Sequence, residues 1–429
     1  MIHAPGLESQ SAWKANPLGQ RIHLDSESAI VYPYTTVSIF QEQYYFPLDR
    51  YTGAERMDRI RRFADRHETP FLVVDLDSIR ERYRQFREGL PFAHIYYAVK
   101  ANPMNEVLEL LRDLGSSFDV ATPYELDQLL RLGVSPDRMS YGNTIKKRKD
   151  IAYFYENGVR LFCTDSFEDM RCIAEAAPGS RVFFRLITEG MGSDWPLSRK
   201  FGAHSDVLFN LALRARDLGV EPYGFSFHVG SQQRDIGQYD DGISRAKYLF
   251  DCLREEGIEM KMLNIGGGFP ANYVDPALPL ETYTSEIKRF LHEDFGDDLP
   301  EILIEPGRGL TADAGVLVSE IVLVSKKARN SLYRWVYLDT GMFGGLIETM
   351  GESIRYPILF DKKGLAEEVI IAGPTCDSMD VLYQHYRYRM PQACTAGDRA
   401  YIFATGAYTQ SYSSVGFNGF PPLPAYVLD

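Results

Sequence analysis

Lys100 stands in an apolar run, YYAVKAN at 96–102, where a charged ammonium is costly unless its pKa falls, a carboxylate answers it, or it condenses with an aldehyde. The run Gly266-Gly267-Gly268 follows another apolar stretch. Its side-chain-free amides either turn the chain or converge on an anion, for which phosphate is the usual guest. It lacks the GxGxxG spacing of a dinucleotide site. Glu305-Pro306-Gly307-Arg308 sets an anion and a cation within one turn, as a local ion pair or as contacts to separate parts of one ligand. His228, between Phe227 and the Gly230-Ser231 turn, suits stacking on a planar ring, metal ligation or simple space filling. No second histidine or carboxylate stands at metal-ligand spacing, so no metal is expected. Asp119 and Arg185 occupy similar positions within or at the end of apolar runs. A lysine for imine chemistry, a phosphate-sized glycine nest, a stacking histidine and an acid for a ring nitrogen together describe a pyridoxal phosphate site.

Such residues need a scaffold that brings many strand ends to one place. Short β-branched and aromatic runs recur at 95–100, 118–121, 139–142, 161–164, 182–187, 224–229, 262–265 and 302–304. Amphipathic stretches separate them, among them 105–114 and 123–132, and the repeat of about 27 residues is that of a (β/α)8 barrel; an earlier strand candidate at 71–74 and a charged amphipathic helix at 77–87 lead into it. An open doubly wound sheet is the alternative. In a barrel, the residues named above gather at the C-terminal mouth, where barrel enzymes keep their active sites. The text after residue 310 turns strand-rich without regular helices, and residues 1–75 lack helical periodicity over much of their length. The expected architecture is therefore α/β, a (β/α)8 barrel over 76–315 with a mostly β domain built from 1–75 and 316–429.

The balance of the chain narrows the function classes. Over 429 residues, 46 lysines and arginines face 59 aspartates and glutamates, a formal charge of −13, so a nucleic-acid or anionic-membrane partner is not expected. The longest apolar stretches are strand-sized, well short of the ~20 residues of a membrane span. Five scattered cysteines with no CxxC spacing fit a reducing compartment, and the N-terminus lacks a signal-peptide pattern, so a cytoplasmic location is expected. Lys146-Lys147-Arg148-Lys149 reads as a solvated helix face. Residues 189–202 (EGMGSDWPLSRKFG) read as an irregular loop that closes over the site.

The motifs, taken together, resemble the alanine-racemase-fold group of pyridoxal-phosphate enzymes. The narrower likeness is to the ornithine/lysine/arginine decarboxylase family related to diaminopimelate decarboxylase, and in particular to its bacterial-type ornithine/lysine members. The resemblance runs from Thr69 to Phe420 through YAVKAN (97–102), FDVAT (118–122), FHVGS (227–231), NIGGGFP (264–270), EPGRG (305–309), GPTCDSMD (373–380), GAYT (406–409) and FNGF (417–420). It implies that Lys100 carries pyridoxal 5'-phosphate as an imine, that Glu305 keeps the ring nitrogen protonated, that His228 stacks on the ring, and that Asp119 and Arg185 tune its electrostatics. It assigns the phosphate to Ser231, the Gly266–Gly268 amides, Gly307, Arg308 and Tyr408. It makes Cys376 the proton donor to the substrate carbon that loses carbon dioxide and Asp377 a ligand of the distal amine. Glu352 is the candidate for a second acidic contact there. It further implies a homodimer with shared active sites, acting on a small diamino acid: ornithine to putrescine and lysine to cadaverine, in polyamine biosynthesis. Arginine or diaminopimelate decarboxylation and an inactive regulatory homologue are the alternatives, and racemisation on the same fold ranks behind them.

Overall fold

The computed structural model describes residues 44–195 and 200–428, together with a strand pair formed by Trp13–Ala15 and Arg21–His23. The rest of the N-terminal segment, part of the expected β domain, lies outside the described residues. Eight parallel strands close into a barrel: β1 (Ala93–Ala98), β2 (Ser117–Val120), β3 (Met139–Tyr141), β4 (Leu161–Thr164), β5 (Arg181–Arg185), β6 (Glu221–Ser226), β7 (Met262–Asn264) and β8 (Glu301–Ile304). Each pairs with its neighbours in sequence, and β8 returns to β1 through Ile302 opposite Ala93. Every strand is buried, because alternate residues serve two cores. Tyr96, Leu161, Cys163, Phe183, Met262 and Leu303 form a compact inner cluster. Residues of opposite parity, such as Tyr97, Phe118 and Phe184, pack outward against the helices in the main core.

The helices start where local chemistry allows. Pro123–Arg131 begins with proline, whose missing N–H is no loss there, and is capped by Thr122 Oγ1 accepting the Glu125 amide at 3.3 Å. The Glu125 carboxylate accepts the Ala121 amide at 2.6 Å, so the turn after β2 is held from both sides two residues beyond Asp119. Ser166 caps Phe167–Ala176 in the same way through the Asp169 amide.

The strands end earlier than the apolar runs suggest. β1 stops at Ala98, and Lys100 sits on a 3₁₀ turn over Val99–Ala101. β6 stops at Ser226, two residues short of His228, and β7 stops at Asn264, before the glycines. Apolar composition persists beyond the hydrogen-bonded ladder because Val99, Ala101, Phe227 and Val229, outside the strands, are still buried.

The second sheet consists of β9 (Gly315–Ser325), β10 (Arg334–Leu338), β11 (Ile358–Phe360), β12 (Ala366–Ala372), β13 (Val381–Pro391), β14 (Arg399–Phe403) and β15 (Ala425–Leu428). Strand Phe71–Asp75 joins it from before the barrel, lying antiparallel to β9 and parallel to β15. The long β9 pairs with β14 through Val316–Glu320 and with β10 through Ile321–Ser325, so one continuous strand serves both halves of the sheet. A helix at Ala54–Ala64, unanticipated from the sequence, buries Met57, Ile60 and Ala64 on one face against this sheet. Six charged residues among its eleven, with only Met57, Ile60 and Phe63 as large apolar ones, left too sparse a pattern to mark it. No helix among the described residues is long and apolar enough to cross a membrane.

Two local readings are corrected. Lys146 is not solvated: its side chain is fully covered, with Nζ 2.6 Å from Asp169 and 2.7 Å from the Cys163 carbonyl oxygen. The segment after β5 is not irregular throughout. Ser193–Trp195 pairs antiparallel with Ser231–Gln233, and Arg234 and Asp194 form a paired ion bridge across the two. Residues 196–199 of the expected closing loop lie outside the described residues.

Candidate active site

The alternation that fills the barrel also aims the reactive side chains. Arg185 shares the inward parity of Phe183, Glu305 that of Leu303, and His228 that of Ser226, whose hydroxyl lies 3.9 Å from Cys163 Sγ inside the barrel. Lys100, Asp119, Arg185, His228 and Glu305 thereby converge at one mouth, near enough to shift each other's ionisation.

Burial would push the Lys100 ammonium down, yet Tyr408, Asp119 and Glu305 outweigh it and its pKa lies above the ordinary lysine value. The charge that the apolar run made costly is balanced by acids from other strands. Burial raises Asp119 against the pull of Lys100 and Arg185; its Oδ1 also receives the Ser140 hydroxyl at 3.4 Å. Gly142 has to be glycine here, since a Cβ would fall 1.9 Å from Asp119 Oδ1. Glu305 is pushed up to about 7 by burial and by Asp119, although the Asn264 amide, Lys100 and Arg185 favour its charged form. Burial and the cations Arg185 and Lys100 hold His228 well below the usual imidazole range, so its ring is neutral at neutral pH. The Gly230 amide donates to Nδ1 at 3.1 Å, which leaves the ring proton on Nε2. The Arg185 guanidinium lies 4.9 Å from the centroid of the Phe201 ring.

A second group lies beside them. Gly266 (φ 69°) and Gly268 (φ 98°) adopt left-handed backbone. A Cβ on Gly267 would stand 2.7 Å from the Glu305 carbonyl oxygen and 3.2 Å from His228 Nε2, and one on Gly307 2.9 Å from Ala101 Cβ and 3.2 Å from Tyr408 Oη. Among the described residues, the amides of Gly267, Gly268 and Gly307 have no protein acceptor. These bare amides form a cradle that side chains would fill and that a small anion can occupy. The Tyr408 amide donates to the Ala101 carbonyl oxygen at 2.8 Å, fastening the tyrosine to the turn that carries Lys100.

Arg308 and Glu305 do not form the local ion pair that their spacing allowed. Arg308, 3% exposed, donates from Nε to Ser231 Oγ at 2.9 Å and from Nη1 to Tyr273 Oη at 2.7 Å. It then pairs in bidentate fashion with Glu348 at 2.8 and 2.5 Å. Four of the five guanidinium N–H groups are thus committed within the protein. Glu348, 1% exposed, was missed in the sequence. It lies 40 residues from Arg308 in a segment whose composition announces nothing; the one available signal was an acid in an otherwise apolar stretch, LIETM.

Cys376, Asp377 and Glu352 are not brought to this mouth. No hydrogen bond, ion pair or ring contact among the described residues joins Cys376 or Asp377 to the Lys100 group, and both are exposed. The Glu352 carboxylate accepts the amides of Gln384 and His385 at 2.6 Å each and of Tyr386 at 2.7 Å. Those bonds hold it below the usual carboxylate range in spite of the partial burial that opposes them. Roughly one of its four lone-pair sites is left for a ligand.

The mouth fits a phosphorylated aldehyde cofactor: an amine among acids, a neutral ring, a carboxyl that keeps a proton near neutrality, and a cradle of free amides. Comparison with known proteins agrees. Residues 76–312 match the family model described as pyridoxal-dependent decarboxylase, pyridoxal binding domain. A lysine/ornithine decarboxylase from Selenomonas ruminantium is 33% identical over 375 residues, covering 86% of this chain and 92% of the relative. The solved structure of SrLDC in complex with PLP and cadaverine superposes with a TM-score of 0.79 at 32% identity, covering 90% of this chain and 95% of that one. Lysine/ornithine decarboxylase from Vibrio vulnificus, complexed with putrescine, superposes at 0.80 with 28% identity, covering 88% and 99%. An antizyme inhibitor 2 from Xenopus laevis is also similar, 30% identical over 370 residues and covering 83% of this chain and 80% of the relative. This chain therefore belongs to the pyridoxal-dependent decarboxylase family, whose cofactor is pyridoxal phosphate and whose members include decarboxylases of basic amino acids.

Proposed function

We propose that the protein decarboxylates ornithine to putrescine and lysine to cadaverine, supplying diamines for polyamine synthesis, at active sites shared between two copies of the chain. The observation that carries the reading is the separation within one chain of an acid-ringed Lys100 group at the barrel mouth from an exposed loop bearing Cys376 and Asp377. A two-fold dimer that sets one copy's loop over its neighbour's barrel completes both sites at once.

Pyridoxal phosphate, when bound, would supply an aldehyde for the substrate amine and a ring that takes up the electron pair left on the substrate carbon when carbon dioxide departs. The chain's own residues do the rest. Lys100 offers the amine that anchors the aldehyde, and its neighbours Asp119 and Glu305 can take up the proton it sheds. Glu305, titrating near neutrality, holds a proton at the ring nitrogen. His228, neutral with its proton on Nε2, stacks without adding charge, while Asp119 and Arg185 set the local field. Ser231, the Gly267, Gly268 and Gly307 amides, Tyr408 and the remaining N–H of Arg308 receive the phosphate, Glu348 holding Arg308 in place; the Gly266 amide, expected to join them, donates instead to Asn264 Oδ1 at 2.9 Å and shapes the turn. The Cys376 thiol returns a proton to the substrate carbon. Asp377 reads the distal ammonium, and Glu352, tied to three amides, offers it one further lone pair.

The experiment is product identification by mass spectrometry, with cofactor-loaded protein offered ornithine, lysine, arginine and diaminopimelate in parallel. Putrescine and cadaverine are expected, and the ratio of kcat/KM values gives the preference. Agmatine or lysine as sole product would move the assignment to a sister decarboxylase, and no product at all would point to a regulatory homologue.

A further inference from the structure

The motif FNGF at 417–420 is absorbed by none of the roles above. Its asparagine has left-handed backbone, with φ 49° at Asn418, between Gly416 (φ 73°) and Gly419 (φ 81°), which are left-handed as well. Asparagine tolerates this region better than other side chains that are not glycine. What the conformation achieves is a single long-range bond: Asn418 Oδ1 accepts the backbone amide of Cys376 at 3.0 Å, 42 residues away in sequence.

The rest of the Cys376 loop is fastened at Asp380 and by short-range bonds of its own, the Met379 amide donating to Asp377 Oδ1 at 2.8 Å and the Asp380 amide to the Asp377 carbonyl oxygen at 3.1 Å, none of which involves the Cys376 amide. Asp380 accepts the Thr375 amide at 3.0 Å and hydroxyl at 2.7 Å, and its second oxygen accepts the Met342 amide at 2.8 Å. Gly341 and Gly373 leave room for that carboxylate, since a Cβ on either would come within 2.3 Å of it. Beneath the loop lies a cavity of about 540 Å³ lined in part by Phe343, Pro374, Thr375 and Phe417. Packing therefore does little to fix Cys376, and hydrogen bonds decide where its thiol points. Phe417, its ring tilted 43° to that of Phe343 with centroids 4.7 Å apart, anchors the asparagine turn to another lining residue of the same cavity.

We propose that Asn418 is a positioning residue for Cys376, setting the direction from which the thiol delivers its proton. The inference rests on the reading of Cys376 as proton donor. In that step the S–H bond breaks, a C–H bond forms at the carbon that lost carbon dioxide, and the thiolate recovers a proton from solvent. A misdirected thiol lets water protonate the cofactor's former aldehyde carbon instead. Hydrolysis then gives an amino-aldehyde and leaves the cofactor as pyridoxamine phosphate; the substrate carbon is oxidised, the cofactor carbon is reduced by the same electron pair, and one water is consumed.

The test compares Asn418→Gly, which keeps the left-handed backbone and removes only the acceptor, with Asn418→Asp, which keeps an acceptor at the same atom, and with Cys376→Ala. Products and cofactor are identified by mass spectrometry after turnover of ornithine and lysine. In the cofactor-free proteins, amide exchange is followed over the peptide 374–379. Asn418→Gly is expected to raise the aldehyde share of product by roughly threefold to tenfold, the range one hydrogen bond controls, and to speed exchange at Cys376. Asn418→Asp is expected to restore both. Unchanged product from Asn418→Gly while Cys376→Ala shifts it would overturn the inference, as would an Asn418→Asp protein no better than Asn418→Gly. Unchanged product from Cys376→Ala would instead overturn the proton-donor reading itself.

Discussion

Replacing Glu305 by glutamine changes almost no volume and removes one buried titration. The carboxyl is raised from 4.5 to about 7, chiefly by burial and then by Asp119. At about 1.4 kcal/mol per unit, this costs the folded cofactor-free protein up to about 3 kcal/mol once the group is charged. The direction follows from which state holds the proton more tightly. Below pH 4.5 the group is neutral in both states and contributes nothing. Between 4.5 and 7 the unfolded chain loses the proton first, so stability falls as pH rises, and above 7 the full penalty is in place. The barrel mouth is partly open, so solvent trims the figure. Denaturant melts of cofactor-free wild type and Glu305→Gln at pH 6 and pH 8 should show the variant more stable by about 2 kcal/mol at the lower pH and about 3 kcal/mol at the higher. The gap should open from about pH 4.5 and level off above about 7. The loaded variant should decarboxylate at least about a hundredfold more slowly, having lost its proton partner for the ring nitrogen. Parallel pH profiles for the two proteins would refute the argument that Glu305 is held charged against its environment.

Lys100→Ala should abolish the yellow imine absorption, and mixing that inactive chain with an inactive Cys376→Ala chain should recover about a quarter of wild-type activity, since half the dimers then hold one intact site. No recovery after verified subunit exchange would count against shared sites. Glu348→Ala strands the Arg308 guanidinium, 3% exposed, without its anion. Denaturant melts should record a loss of about 3–5 kcal/mol, whereas a loss below about 1 kcal/mol would show the pair to be dispensable. Gly267→Ala drives a methyl into the Glu305 carbonyl oxygen at 2.7 Å. Cofactor titration should show binding weakened by at least tenfold, and because the clash is with backbone rather than a movable side chain the melting temperature should fall as well.

Much of the barrel was legible because its signal is local. Apolar runs of strand length, separated by helical spacing, mark where strands lie whatever their partners, and Gly89, Asp113 and Arg131 end helices within two residues of where periodicity ceases. Strand ends were less legible: the ladder beside Lys100 and His228 stops two residues early, although the apolar text continues. Lys146 was misread because a charge run looks solvated until Asp169, on a later helix, is folded against it.

The sequence by itself determined the residue types at the mouth, since Lys100, Asp119, Arg185, His228 and Glu305 each lie in a strand or within two residues of one and inherit their direction from the strand's period of two. Tertiary structure alone decided the partners that set their chemistry. Arg308 pairs with Glu348, 40 residues away, Cys376 with Asn418, 42 residues away, and Lys100 keeps its charge because acids from β2 and the end of β8 face it. Spacing along a chain encodes direction, which is local. Electrostatic and hydrogen-bond energies depend on distance through space, and only closing the barrel and docking the second sheet against it fixes those distances.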